Sequence, residues 1–376
     1  MNELIYIYKV RAKLLAWMSA AILLTACSDD DTDRWSGETD FLQIAAYTQE
    51  MVSPSGAAAT RAVSYPSNYK EYEGSSSIGV FMTPTTTEMT LISYEDNAWH
   101  SMVKVSEGEV YYIYGYMPAY ATCTINPNTT FDNGAILTFT DVPSVMSEDF
   151  SVITGALQLE SDYAENPSAI EEGTLKAGTF KFKGKAPGNN FVDLMFDHLY
   201  GALNISMNVY SGYDALRTIK LKELKLRTSA NGTPTKSKTT VTVTLNKTTD
   251  GTSPIAETGG IVFTPDLTSD DMGDEPFFQS ATGKELTTTS ESFEGHFMPE
   301  GVTSLVLTSV YDVYDKQGNL IRKECTAQNK LEISKLFDRQ DATKPGWRYN
   351  VEMTIVPTYL YVLSEPDLDN PTVVIN

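Results

Sequence analysis

Period-two alternation of apolar and polar residues dominates the chain, and helical spacing is nearly absent. In Thr239-Thr240-Val241-Thr242-Val243-Thr244-Leu245, Val241, Val243 and Leu245 share one face and threonines take the other. Leu203 to Val209 and Tyr349 to Ile355 alternate in the same way. Each pattern predicts a strand with one buried side. In Ile219 to Leu226 the apolar phase slips at Lys222-Glu223. A one-residue slip turns the later side chains to the other face, so a bulge is expected there. Asn133-Gly134, Asn231-Gly232, Asp250-Gly251 and Gln317-Gly318 punctuate the runs. Such pairs accept the positive φ of tight hairpin turns. Leu331 to Phe337 is the one short helix the pattern suggests. Short strands separated by turns predict an all-β chain built of β-sandwiches.

The 376 residues exceed one ordinary core and fit two domains with a leader to spare. The Pro/Gly/Asn-rich stretch Lys185-Ala186-Pro187-Gly188-Asn189-Asn190 marks the expected boundary. It gives an N-terminal sandwich over 41–187 and a C-terminal sandwich with terminal strands over 188–376. A 41% hydrophobic and 20% charged composition excludes a disordered tail protein. The net charge of −21, from 28 Lys+Arg against 49 Asp+Glu, disfavours nucleic acid as a partner. Three cysteines without a CxxC pair supply neither a disulfide framework nor a structural zinc site. Cys123 and Cys325 read as small, partly buried residues.

The first 26 residues read as a leader. Lys9, Arg11 and Lys13 precede the apolar run Leu14 to Leu24, which is too short to span a bilayer and suits a signal peptide. Leu24-Thr25-Ala26-Cys27 resembles the bacterial lipobox, in which the cysteine thiol takes a diacylglycerol. Cys27 is thus the expected lipidation site, and 27–40 an acidic flexible tether. Its Ser28-Asp29-Asp30-Asp31-Thr32-Asp33 resembles the export signal of Bacteroides-type outer-membrane lipoproteins.

Chemistry is sparse. There is no GxSxG, HExxH, P-loop or GxGxxG. His100, His198 and His296 are isolated, and His198 reads as a buried imidazole with a hydrogen-bond partner. The cluster Asp270-Asp271-Met272-Gly273-Asp274-Glu275 lacks the ligand spacing of a calcium loop. No catalytic residue, metal or cofactor is expected. Trp35, Trp99 and Trp347 leave open a monomeric surface lipoprotein that stacks glycans on exposed rings.

Several segments in order resemble the fimbrillin family of Bacteroides-type fimbrial subunit lipoproteins. They are Phe41 to Thr48, the small-residue linker Ala57-Ala58-Ala59-Thr60-Arg61-Ala62, Ile78-Gly79-Val80-Phe81, Tyr111 to Pro118, Val192 to Leu199 and Gly346-Trp347-Arg348-Tyr349. The resemblance implies two tandem transthyretin-like β-sandwich domains and a lipid-anchored precursor at the outer-membrane surface. It further implies assembly with other fimbrial subunits, supporting cell adhesion. A trypsin-like protease would cut between Arg61 and Ala62. Residues 41–48 would then leave the N-terminal sandwich, and another subunit's terminal segment would take their place. Tyr359, Tyr361 and Leu363, which share a face, and Val373 and Ile375 are the donor candidates. A pilus anchor or tip component that does not polymerise fits the same residues.

Overall fold

The computed structural model describes residues 41–54, 69–72, 74, 76–84, 86–119, 122–158, 178–230, 233–234, 238–248, 252–265, 275–299, 301–337 and 341–356. The strands in chain order are β1 (Gln43–Gln49), β2 (Tyr69–Glu71), β3 (Ile78–Thr83), β4 (Thr90–Glu95), β5 (Ala98–Ser101), β6 (Val110–Met117) and β7 (Thr122–Asn128). Next come β8 (Thr130–Pro143), β9 (Val145–Met146), β10 (Ser151–Gln158), β11 (Lys181–Lys183), β12 (Phe191–His198), β13 (Gly201–Val209), β14 (Arg217–Ala230) and β15 (Thr233–Pro234). The last are β16 (Lys238–Asn246), β17 (Ile261–Pro265), β18 (Glu275–Leu286), β19 (Glu291–Phe297), β20 (Ser304–Asp315), β21 (Leu320–Glu332) and β22 (Arg348–Ile355). The helices among the described residues are single turns, Ser211–Asp214 and Ile333–Leu336. The fold is all-β, as the alternation predicts.

Among the described residues the strands form four sheets around two main cores. A nine-stranded sheet runs β2-β1-β12-β10-β6-β3-β4-β5, with β11 also on β6, and faces the sheet β17-β16-β8-β7. Ile78, Val80 and Ile113 of the first interdigitate with Leu137, Phe139, Val241 and Val243 of the second. Phe139, Phe150 and Tyr200 meet edge-on, with centroids 5.0 and 5.6 Å apart, the arrangement that ring quadrupoles favour. The second core lies between β22-β13-β19-β9 and β15-β14-β20-β21, with β18 on β14. Leu203, Ile205, Phe293 and Phe297 oppose Leu221, Leu224, Leu305 and Leu307 there.

The expected cut at 187/188 does not coincide with this division. β12, placed by the sequence at the head of the second half, hydrogen-bonds to β10 and β1 in the first sheet. β16 pairs with β8 of the first half, and β9 crosses the other way to pair with β19. Pro187-Gly188 is therefore a turn feeding β12 within the first sheet.

Local signals fared unevenly. The register jumps from Leu221 to Glu223 against both neighbours of β14, which is the bulge expected at Lys222. Gly318, at φ 86°, turns β20 into β21. Asn133-Gly134 instead lies inside β8. A Cβ at Gly134 would sit 2.0 Å from the Leu245 carbonyl oxygen, so the glycine there serves close strand approach. Asp96 and Asn97, both at positive φ, make the β4–β5 turn that the pattern had not marked. The helix begins at Ile333, because Leu331 and Glu332 still pair in β21.

Candidate functional site

β1 is the strand on which the expected function turns, and it is an integral part of the first sheet. Its six register pairs with β12, from Gln43↔Phe191 to Thr48↔Phe196, run parallel. Leu42, Ile44 and Ala46 point inward at 1, 5 and 0% exposure and belong to the first core. Backbone bonds secure the start: the Leu42 N–H donates to Val103 O and the Gln43 N–H to Asn190 O, each at 2.8 Å. The chain then continues onto the second sandwich. The Val52 N–H donates to Gly346 O at 2.9 Å, and Val52 O accepts from the Arg348 N–H at 2.8 Å. One extended segment thereby ties both cores together. Its other neighbour is the three-residue β2, through Tyr47↔Glu71, Thr48↔Lys70 and Gln49↔Tyr69.

The outward side of β12 is also buried, although two of its residues are acidic. Asp193 and Asp197 are 1 and 4% exposed. The Tyr69 hydroxyl of β2 reaches past β1 and donates to Asp197 Oδ1. Asp193 Oδ2 has no hydrogen-bond partner. Burial, with the Glu71 charge added, pushes the Asp193 carboxyl up to about 7.

At the end of β1, His198 bonds through Nδ1 to Asp149 Oδ2 at 2.6 Å and through Nε2 to the Gln49 carbonyl. Burial alone would lower the imidazole pKa. The Asp149 charge and hydrogen bond, the Gln49 carbonyl and the Asp197 charge outweigh it and raise the value. Burial would raise Asp149, but His198 and then His296 hold it below its ordinary value. The pair lines a cavity of about 600 Å³ together with Glu50, Lys70, Glu294, His296 and Arg348. Arg348 grips Glu294 bidentately, Nε to Oε2 at 2.9 Å and Nη2 to Oε1 at 3.1 Å.

The sequence-predicted site residues Cys27, Arg61, Ala62, Tyr359, Tyr361, Leu363, Val373 and Ile375 lie outside the described residues. So do Trp35 and most of the acidic cluster at 270–275. The Trp99 ring is half-buried against Tyr94 and Tyr72, with centroids 4.8 and 6.0 Å away, and Trp347 is 8% exposed. Cys123 is a partly buried free thiol that burial pushes up to about 12. No group of three His, Cys, Asp or Glu placed to hold a metal occurs among the described residues. No helix among them is long and apolar enough to cross a membrane. The sequence reading missed Tyr69, Asp149, Asp193 and Asp197. The available signal was two aspartates inside the run Phe191 to Leu199, which is apolar but for them and His198.

No protein-family model matches the chain, and no curated protein matches it. Among solved structures it is similar to a fimbrial protein from Bacteroides vulgatus at 11% identity and TM-score 0.32, covering 83% of this chain and 95% of that one. It is likewise similar to a candidate cell adhesion protein from Bacteroides uniformis at 14% identity and TM-score 0.35, covering 85% and 95%. A further candidate cell adhesion protein, from Bacteroides fragilis, stands at 11% identity and TM-score 0.35, covering 84% and 92%. At these scores the weight rests on the geometry of β1.

Proposed function

We propose that the protein is a non-enzymatic fimbrial subunit. It is delivered as a lipid-anchored surface precursor and assembles by giving up β1 and accepting a terminal strand from another subunit. The observation that carries this reading is the position of β1. Its long neighbour is β12, and its other neighbour is only three residues long. A cut between Arg61 and Ala62 would separate β1 from β2 and leave the β12 edge unpaired. Such an edge templates an incoming strand. Three adjoining inward sites, those of Leu42, Ile44 and Ala46, would be vacated. Refilling the two larger ones is worth about 1.5–3 kcal/mol each.

The sizes of those sites select among donor faces. Leu42-x-Ile44-x-Ala46 reads large, branched, small. In the tail, Leu360-x-Val362-x-Ser364 repeats that order. The opposite face, Tyr359, Tyr361 and Leu363, would put two rings where Leu and Ile sit and a leucine where alanine sits. Val373-x-Ile375 is preceded on its face by Pro371, so that segment reads proline, branched, branched and does not repeat the order. A head-to-tail contact of this kind does not close on itself and gives a filament.

The test is to treat the precursor with a trypsin-like protease and follow mass and N-terminal sequence. A fragment beginning at Ala62 that sheds 41–61 and forms multimers is expected. Multimers should be blocked by Val362→Asp in the tail. A nicked chain that keeps 41–61 bound and stays monomeric refutes the exchange.

A further inference from the structure

His198 reaches two acceptors at once. Asp149, held ionised, can only accept, and so can the Gln49 carbonyl. A neutral imidazole has one N–H and could satisfy one of them. Both contacts are made only when both ring nitrogens carry protons. The geometry therefore points to an imidazolium, at 7% residue exposure, whose second proton is bonded to the last residue of β1.

We propose that His198 is a charge-dependent latch on the exchangeable strand: doubly protonated, it holds the end of β1, and on losing one proton it lets go. This rests on the reading of β1 as the strand that departs. When the Nε2 proton is lost, two electron pairs face each other, that of the ring nitrogen and that of the Gln49 carbonyl. The contact changes from attractive to repulsive. Asp149 keeps its bond from the Nδ1–H but loses the opposing charge of the ring, and its Oδ1 already has no hydrogen-bond partner.

The charged surroundings define which other groups could mimic the effect. Asp149 approaches from the turn before β10, and Asp197 lies on the same strand. Glu294 and His296 face the cavity from β19, where they pair with one another at 3.5 Å, and Arg348 faces it from β22. Glu148 bonds Ser76 at 2.8 Å, and the exposed pair Lys70–Glu50 closes the rim. Asp193, on the outward side of β12, is the group whose ionisation also bears on β1. The sign is fixed by direction. A histidine whose folded pKa lies above its ordinary value of about 6.5 contributes fully below that value. Its contribution fades as pH rises through the folded pKa.

Two measurements test the latch. Nitrogen-15 NMR of the intact protein reads the His198 ring, and both nitrogens should be protonated at pH 7. A single protonated nitrogen there overturns the proposal without touching the strand-exchange reading. For the second, a site for a sequence-specific protease is inserted between Pro54 and Tyr69, the chain is nicked, and departure of the N-terminal peptide is timed. Departure should be at least about tenfold faster at pH 9 than at pH 6, and the difference should persist in Asp193→Asn. His198→Gln should depart quickly at both pH values. If that variant does not fold, the ring state and the parent profile decide. Equal rates at both pH values overturn the latch alone, whereas a peptide that never departs overturns both latch and exchange.

Discussion

Replacing Ile44 by alanine tests whether β1 is built into the first core or merely lies on it. Ile44 is 5% exposed and packs in the same cluster as Val192 and Leu194 of β12. The change removes the branched end of the side chain, worth about 2.4 kcal/mol at about 0.8 kcal/mol per buried carbon. A residual cavity brings the expected loss to about 2–5 kcal/mol, because neighbours in a packed core relax only in part. Urea unfolding of the precursor should show the midpoint falling by that loss divided by the slope, with the slope itself unchanged. Val262→Ala, at a position 44% exposed, serves as the reference and should stay within about 0.5 kcal/mol. In the nicked protein the same loss should weaken retention of the N-terminal peptide by roughly 30-fold or more. An Ile44→Ala protein as stable as the Val262→Ala reference would refute the claim that β1 shares the first core.

Three further substitutions probe the same strand. Ala46→Leu overfills a site at 0% exposure and should cost about 1–3 kcal/mol; no loss by the same denaturation assay would contradict the small third pocket. Tyr69→Phe leaves the buried Asp197 carboxylate without its hydroxyl donor. It should cost about 1–3 kcal/mol, with faster amide exchange at Tyr47 to Gln49, and unchanged exchange would show that the hydroxyl does not secure β1. Asp193 carries a folded pKa of about 7, above its ordinary value. Its ionisation therefore costs nothing below about pH 4, an increasing amount up to about pH 7, and at most about 4 kcal/mol beyond. Asp193→Asn should match the parent at pH 4 and be the more stable protein at pH 8, and equal stability at pH 8 would count against the buried charge.

Strand identity was legible wherever one face is wet. Val241, Val243 and Leu245 alternate with threonines because β16 buries one side only, and the Lys222 bulge showed as a slip in the same rhythm. Partnership was not legible. β12 is buried on both sides, so its residues say that it is central without saying to which sheet. Pro187-Gly188 has the chemistry of a linker and of a turn alike, and only the pairing with β10 and β1 decides. Asp193 and Asp197 look like a solvated face in the sequence. What covers Asp197 includes Tyr69, 128 residues earlier in the chain, and no local pattern reports a contact at that separation. His198 was legible as a buried imidazole, but its second acceptor, Gln49, was not.

The exchange of strands between the two cores governs how the nascent chain can fold. Leu42 and Met298 belong to one cluster, which also takes Val241, Val243 and Ile255 from the later part of the sequence. A chain made from its N-terminus therefore cannot close its first core until about three quarters of it has been synthesised. Until then β8 is without its partner β16 and β9 without its partner β19, open to aggregation or to holding chaperones. Splitting the gene near residue 187 should accordingly yield two insoluble halves that recover only when refolded together.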